Sequence, residues 1–423
     1  MKTSHRSGMA VRPAAPRSPT LFDGRHAWTD TQVRTEAQRM AKLLGDAGTR
    51  VLASLLDNSV AWVVADLAAA LAGVVHLPLP TSLTRTQLAQ ALRSATADAW
   101  LTTPLVAQHM RGSLPGHEVR RCELAGDLLA LVAQPPGMPR AARAEAGGQQ
   151  VRPDPAAMQC AAEGLMRATA TLGITRHLCV LPLTEPLERV AGLKTALARG
   201  ADCVVLPLHQ VGLTGTTGFD AAAFHAAVLR HEPHSMVLRP ALLRAWSAHL
   251  HATRQSAPRW LRLVLVAGPA VGDPARPGGP STFGLRDLPR GLMEAHAAGI
   301  PAYEGYAPAP DGLLQTLNLP GADLPGSAGR VLPHAQLRCT ALGEIEVAEP
   351  RLADQPAHAP GPVWRPTGDL GRIDAQGFLH LADPARDTAP AAAGPLAAPD
   401  WAAATLRGGP CLRTPVSLQG SLP

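Results

Sequence analysis

The sequence predicts an α/β protein with two layered α/β subdomains followed by a small β-rich subdomain. Between residues 51 and 102, and again between 161 and 266, apolar runs of strand length alternate with stretches at helical spacing. That order favours parallel sheets covered by helices. Beyond Leu313 the segments shorten to strand-like pieces separated by turn residues. With 46% hydrophobic and 17% charged residues over 423 positions, the chain is globular and long enough to bury a large core in two or three packed subdomains.

Residues 1–22 read as a flexible N-terminus, basic and rich in Pro and Ser, without an apolar run long enough for a secretory signal. From Thr31, the residues Val33, Ala37, Met40, Ala41 and Leu44 recur at helical spacing and stop before Gly48. Residues 51–56 read as a buried strand, and Asn58 or Ser59 as the cap of a helix reaching Ala72. A strand at 74–79, a helix at 84–95 and a strand at 99–102 follow. Pro, Gly, Ala and Arg dominate 134–155, which reads as a linker or long loop between α/β parts at 23–133 and 156–325. In the second part, helices near 161–172, 186–198, 221–229 and 241–250 alternate with strands at 178–183, 203–208, 236–238 and 261–266. A Pro/Gly loop over 273–280 and a helix near 288–298 lead to Tyr303-Glu304-Gly305-Tyr306. The β-rich part spans 326–383, with strands at 337–340 and 344–347, and 384–423 is expected to be a vestigial C-terminal segment.

Composition removes several classes of function. The net charge of +6 comes almost wholly from scattered arginines, and aromatic residues are only 3% of the chain, so no nucleic-acid platform is expected. Cys122, Cys160, Cys179, Cys203, Cys339 and Cys411 stand singly in the chain, a pattern of buried thiols in a reducing cytoplasm rather than zinc ligands or disulfides. The longest apolar stretch, residues 67–79, is broken by Gly73, His76 and Pro78 and is too short to span a bilayer. His225, His231, His234, His249 and His251 have the wrong spacing for a helical zinc pair and read as surface or capping residues.

The most informative stretch is Trp364-Arg365-Pro366-Thr367-Gly368-Asp369-Leu370-Gly371-Arg372-Ile373-Asp374-Ala375-Gln376-Gly377-Phe378-Leu379-His380-Leu381. It reads as two short strands, with Gly368 and Asp374-Ala375-Gln376-Gly377 as turn residues. Asp369 follows a Thr-Gly whose small bulk lets a ligand approach the backbone. Alone, such an Asp is more often a turn or N-cap residue than a ligand contact. The stretch resembles the Thr-Gly-Asp motif of the adenylate-forming superfamily, the AMP-binding acyl-CoA synthetases and their relatives. The resemblance implies the fold of that family's large domain, with Asp369 on the ribose hydroxyls of ATP and acyl-adenylate and Thr367 and Gly368 beside it. Residues 28–103, with Val51, Leu55, Asn58, Ser59 and Ala65-Asp66-Leu67-Ala68, are similar to the start of such an enzyme. Tyr303-Glu304-Gly305-Tyr306 resembles the adenine-stacking motif, which implies Glu304, Gly305 and Tyr306 around adenine. Val266-Ala267-Gly268-Pro269-Ala270 is similar to the turn lining the acyl pocket, which implies Gly268 there. The implied cofactors are ATP or AMP with Mg²⁺, and the implied partner is a small carboxylic acid or acyl group.

The same comparison exposes departures. An acyl-adenylate former must neutralise a triphosphate, and preorganised donors, a lysine and Mg²⁺ supply most of that stabilisation. Where the family's Ser/Thr/Gly-rich phosphate loop ends in Pro-Lys-Gly, this chain has Arg152-Pro153-Asp154-Pro155-Ala156-Ala157-Met158, with no Gly and no Lys. Leu213-Thr214-Gly215-Thr216-Thr217-Gly218 lies two elements later and reads as a turn into the helix near Asp220, although it is a Gly/Thr-rich nest open to an anion. After Tyr306 the continuation Ala307-Pro308-Ala309-Pro310-Asp311 lacks the family's hydroxyl and magnesium carboxylate unless Asp311 substitutes. The hinge position reads Asp383-Pro384-Ala385-Arg386-Asp387, and no mobile C-terminal domain with its lysine is expected after it. The only lysines are Lys2 in the tail, Lys42 on the first helix and Lys194 in scaffold, and an arginine's planar fork does not deputise for a point-charge ammonium. No catalytic residue and no metal ligand is therefore nominated. Two expectations follow: a ligase that activates a carboxylic acid with ATP, impaired or dependent on a protein partner, and alternatively a pseudoenzyme binding an acyl group, nucleotide or partner protein.

Overall fold

A computed structural model describes residues 20–94, 97–110, 118–133, 155–215, 218–268, 288–308, 312–352 and 361–382. The α/β expectation holds: these residues form a seven-stranded, a five-stranded and a four-stranded sheet plus two two-stranded ribbons. The largest sheet has the order Ala302–Tyr306, Leu263–Gly268, Ser235–Leu238, Arg176–Cys179, Asp202–Val205, Thr20–Phe22 and Ala27–Thr29. Only its last pair is antiparallel. The five-stranded sheet has the order Val75–Pro78, Val51–Leu55, Ala99–Thr102, Asp127–Ala133 and Glu118–Leu124.

Local chemistry explains the first helices. Asp30–Asp46 starts at a capping box in which Thr29 and Gln32 exchange side-chain and backbone hydrogen bonds. It buries Val33, Ala37, Met40 and Leu44 at the spacing read from sequence. Ser59, rather than Asn58, caps Val60–Leu71 by accepting from Trp62 N. Asn58 instead reaches across to the second α/β part, donating to Leu181 O at 2.9 Å and accepting from Leu183 N at 2.8 Å. One apolar cluster joins both helices to Leu52, Leu101 and Leu131 on one sheet and Cys179, Cys203 and Val205 on the other. Enclosure between the two layers explains why Val60–Leu71 is apolar on nearly every side.

Several elements differ from expectation. Thr20–Phe22, counted from sequence within the flexible N-terminus, is a strand, with Thr20 Oγ1 donating to Asp202 Oδ1 at 2.6 Å. Three residues carry no periodicity, so only their pairing with a distant strand defines them. The hairpin of Glu118–Leu124 and Asp127–Ala133 turns at Ala125 and Gly126, both with positive φ, a type I′ arrangement formed here without Asn. Pro104–Met110 is a further helix not foreseen. The helix expected over 186–198 is a π-helix at Glu188–Lys194 running into Thr195–Ala198. His225, expected at the surface, is buried and accepts from Trp246 Nε1 at 3.3 Å.

Leu213–Thr214 pairs with Gly218–Phe219, and Asp220 caps the next helix by accepting from Ala222 N and Ala223 N. Residues 1–19, residues 134–154 of the linker expected over 134–155, Arg152 to Asp154, Pro269, the Pro/Gly loop over 273–280, Ala309 to Asp311, and 383–423 with the hinge motif lie outside the described residues, and Pro155, counted in that linker, starts the helix Pro155–Ala168. Among the described residues, no helix is long and apolar enough to cross a membrane.

Candidate functional site

In an open parallel sheet, ligands gather outside the carboxyl ends of the strands. Leu263–Gly268 and Ala302–Tyr306 end side by side there. Gly268 lies opposite Tyr306 and Val266 opposite Glu304, so these four residues share one face of the sheet. Gly305 points the other way, and a Cβ on it would stand 2.6 Å from Thr316 O, so glycine lets the next chain segment close on the strand.

The four-stranded sheet brings in the remaining predicted residues. Its strands are Gln336–Cys339, Glu344–Ala348, Arg365–Ile373 and Leu379–Leu381. Gly368 was read as a turn residue, but Arg365–Ile373 continues through it. Glu344 pairs with Leu370 while Glu346 pairs with Pro366, so the Thr367-Gly368-Asp369 segment is a bulge. Gly368 supplies the φ of +77° that the bulge requires, and nothing lies within 4 Å of where its Cβ would be. The expected turn at Asp374-Ala375-Gln376-Gly377 is present, with Asp374 Oδ1 accepting from Gln376 N and Phe378 N.

The bulge aims Asp369 at Tyr306, whose hydroxyl donates to Asp369 Oδ2 at 2.7 Å and lies 3.1 Å from Thr367 Oγ1. Thr367 Oγ1 donates to Ile345 O at 2.9 Å and accepts from Asp369 N at 3.2 Å, which ties the motif to the neighbouring strand. Burial, then the Asp369 carboxylate, pushes the Tyr306 phenol far above its ordinary value, so the phenol stays a donor at any physiological pH. Tyr306 is 0% exposed, so its ring is enclosed rather than presented to solvent. Asp369 is half-buried, and among the described residues its Oδ1 has no hydrogen-bond partner.

Glu304 is 6% exposed, and burial alone pushes its carboxyl up to about 8. It is therefore a neutral acid at pH 7, able to donate as well as accept. Among the described residues no group is hydrogen-bonded to that carboxyl. Arg239, which sequence reasoning missed, completes the rim. It follows Leu238 at the end of its strand, and its Nη1 lies 3.5 Å from where a Gly268 Cβ would stand. Glu185 holds its other edge, with Nε at 3.2 Å and Nη2 at 2.5 Å from Glu185 Oε2. A lone Arg before a Pro carries no motif, so no sequence signal marked it.

These residues suit a ribose hydroxyl at Asp369 Oδ1 and a small acid beside Gly268. They do not make a carboxylate set for Mg²⁺, because Glu304 is protonated, Glu185 is engaged by Arg239, and Asp369 already receives Tyr306. Neither described lysine reaches the group: Lys42 Nζ pairs with Asp46 Oδ2 at 3.1 Å and Lys194 Nζ with Asp66 Oδ2 at 3.6 Å.

Two other polar clusters lie deeper. Ser54 Oγ is 2.7 Å from His76 Nε2, and His76 Nδ1 is 2.9 Å from Asp66 Oδ1, the connectivity of a hydrolytic relay. Ser54 is 0% exposed within its strand, and Arg189 also clasps Asp66, so this is a clasp between the two α/β parts. The second cluster joins Ser235, His177 and Glu188. His177 Nδ1 lies 2.9 Å from Ser235 Oγ, and His177 Nε2 lies 3.1 Å from Glu188 Oε1. All three residues are buried.

Comparison with known proteins bears on the fold and the relatives of the chain. A family profile described as "AMP-binding enzyme" matches residues 11–162. A feruloyl-CoA synthase from an Amycolatopsis species is 26% identical over 411 residues, covering 88% of this chain and 77% of the relative. Among solved structures, the anthranilate CoA ligase AuaEII in complex with anthranoyl-AMP superposes with a TM-score of 0.62 at 16% identity, over 89% of this chain and 75% of that one. The o-succinylbenzoate CoA synthetase MenE of Bacillus subtilis, in complex with its acyl-adenylate, gives 0.60 at 19% identity, over 88% and 76%.

Proposed function

We propose that this chain is a member of the adenylate-forming, AMP-binding superfamily, which its profile match, its feruloyl-CoA synthase relatives and its fold support, and that it binds an adenine nucleotide and a small carboxylic acid at the end of the large sheet. By itself it activates that acid slowly or not at all. The observation that carries the reading is Asp369, lifted on its bulge with Oδ1 open and Oδ2 anchored by the Tyr306 hydroxyl. An anchored carboxylate accepts from a ribose hydroxyl without first paying to order itself. Thr367 and Gly368 hold that bulge, and Glu304 and Gly305 form the strand beside it. Glu304, as a neutral acid, could exchange hydrogen bonds with the amine and ring nitrogen of a purine.

What argues against fast chemistry is charge. Acyl-adenylate formation develops charge on phosphorus oxygens, and cations normally stabilise it. The cation at this rim, Arg239, is held by Glu185, and both described lysines are engaged by other carboxylates. With no carboxylate set for Mg²⁺ among these residues, a partner protein donating a cation is the natural supplement. Buried thiols at Cys160, Cys179 and Cys203 suit a reducing cytoplasm.

The test is calorimetric titration with AMP and with ATP and Mg²⁺, alongside pyrophosphate release over a panel of acids. AMP is expected to bind the wild type, Asp369→Ala is expected to abolish that binding, and pyrophosphate is expected at no more than a trace. Rapid pyrophosphate release by the isolated chain would overturn the slow-chemistry reading. Unchanged AMP binding in Asp369→Ala would overturn the site.

A further inference from the structure

Arg239 occupies the N-cap of the helix Pro240–Thr253 and makes no side-chain capping bond there. Ser, Thr, Asp or Asn serves that position best, so capping does not account for an arginine. Its backbone is held between the Ser235–Leu238 strand and a helix beginning with Pro, which limits where the side chain can reach. Glu185 takes Nε and Nη2 through the single oxygen Oε2, which leaves Nη1 with no hydrogen-bond partner among the described residues. That free end lies over Gly268, where any larger residue would put a Cβ within 3.5 Å of it. The side chain of Arg239 is 29% exposed and that of Glu185 33%, so the pair stands at the open rim rather than in the core.

We propose that Arg239, oriented by Glu185, is a specificity-determining residue of the acyl end, and that the acid bound there carries a second anionic group, as a dicarboxylate does. The inference rests on the acyl reading of Gly268 above and deepens it by naming the substrate class. A guanidinium is a planar fork, and a carboxylate gripped on one edge leaves the adjoining edge free for another. One carboxylate of the ligand points toward Asp369 and the nucleotide, and the other meets Nη1. The Glu185 charge already balances the empty site, so an uncharged acyl tail finds no partner for Nη1, while an acidic tail does. Glu304, on the same face as Gly268 and protonated, adds no opposing charge.

The experiment titrates glutarate and pentanoate, acids of equal chain length, into the full chain with and without AMP. The proteins compared are the wild type, Arg239→Gln, Arg239→Lys and Glu185→Gln, each checked for folding by thermal melting. The wild type is expected to prefer glutarate on the order of tenfold or more, the size of one charge-assisted hydrogen-bonded contact. Arg239→Gln is expected to bring the ratio to about one, and Arg239→Lys to recover it only in part because a point charge lacks the fork. Equal binding of the two acids by the wild type, no binding of either, or an undiminished ratio in Arg239→Gln would each overturn the proposal. A glutarate preference seen only without AMP, or with no AMP binding at all, would leave Arg239 standing and sink the nucleotide reading instead.

Discussion

At the scale of the residue, the candidate site is a set of polar groups whose protonation is decided by burial. Tyr306 remains a phenol whose hydroxyl donates a hydrogen bond to Asp369, and burial holds Glu304 as a neutral acid with no ion-pair partner among the described residues. Glu304 binds its proton more tightly folded than unfolded. Its contribution is therefore complete below about pH 4.5 and is lost as pH rises toward about 8. Over that window stability falls by up to about 1.4 kcal/mol per pH unit. Glu304→Gln, a neutral isostere, is expected to flatten this part of the curve when unfolding free energies are measured by urea titration between pH 5 and 8. Parallel curves for the two proteins would mean that the carboxyl is better solvated than its 6% exposure implies. Asp369 and Tyr306 were both legible as motif letters, because the letters travel with the motif. That the Tyr306 hydroxyl would close on Asp369 was not, since the two are 63 residues apart.

At the scale of the element, glycines decide what can be built. Gly368 permits the bulge that lifts Asp369, and Gly192 permits the buried pair beneath the large sheet. A Cβ on Gly192 would stand 2.1 Å from Glu188 Oε1 and 2.8 Å from His177 Nε2. Helix propensity alone would make Gly192→Ala a gain of up to about 1 kcal/mol. The contact argues the opposite sign, because Glu188 Oε2 also accepts from Val180 N and Leu181 N and cannot easily withdraw. A loss of roughly 2 kcal/mol or more is expected in chemical denaturation, from overpacking and a weakened buried pair. A stabilised variant would refute that account. The helix itself was readable from apolar spacing, but the π-turn was not, because the groups Glu188 meets there, His177, Val180 N and Leu181 N, lie outside the helix and carry no helical period.

At the scale of the whole molecule, the two α/β parts are held together by a shared apolar layer and by a few buried polar links. Asn58 bridges to Leu181 and Leu183, and Asp66 collects His76, Arg189 and Lys194. Burial pushes the Asp66 carboxyl up, but His76, Arg189 and Lys194 outweigh it and hold the carboxyl well below its usual range. Its contribution is thus complete above about pH 4 and fades as pH falls below that. Asp66→Asn leaves two cations facing a neutral amide and is expected to cost roughly 3–5 kcal/mol by urea unfolding at neutral pH. A loss under about 1 kcal/mol would show that the parts are held by the apolar layer alone.

By itself the sequence determined the α/β alternation, the apolar faces and the Thr-Gly-Asp and Glu-Gly-Tyr letters, because each is written in residues adjacent along the chain or repeated at a short period. Only the tertiary structure decided that Thr20–Phe22 joins the large sheet, that Arg239 stands over Gly268 with Glu185 behind it, and that Tyr306 secures Asp369. Those contacts join residues tens to hundreds of positions apart, and their geometry follows from sheet register and strand ends, which no local pattern encodes.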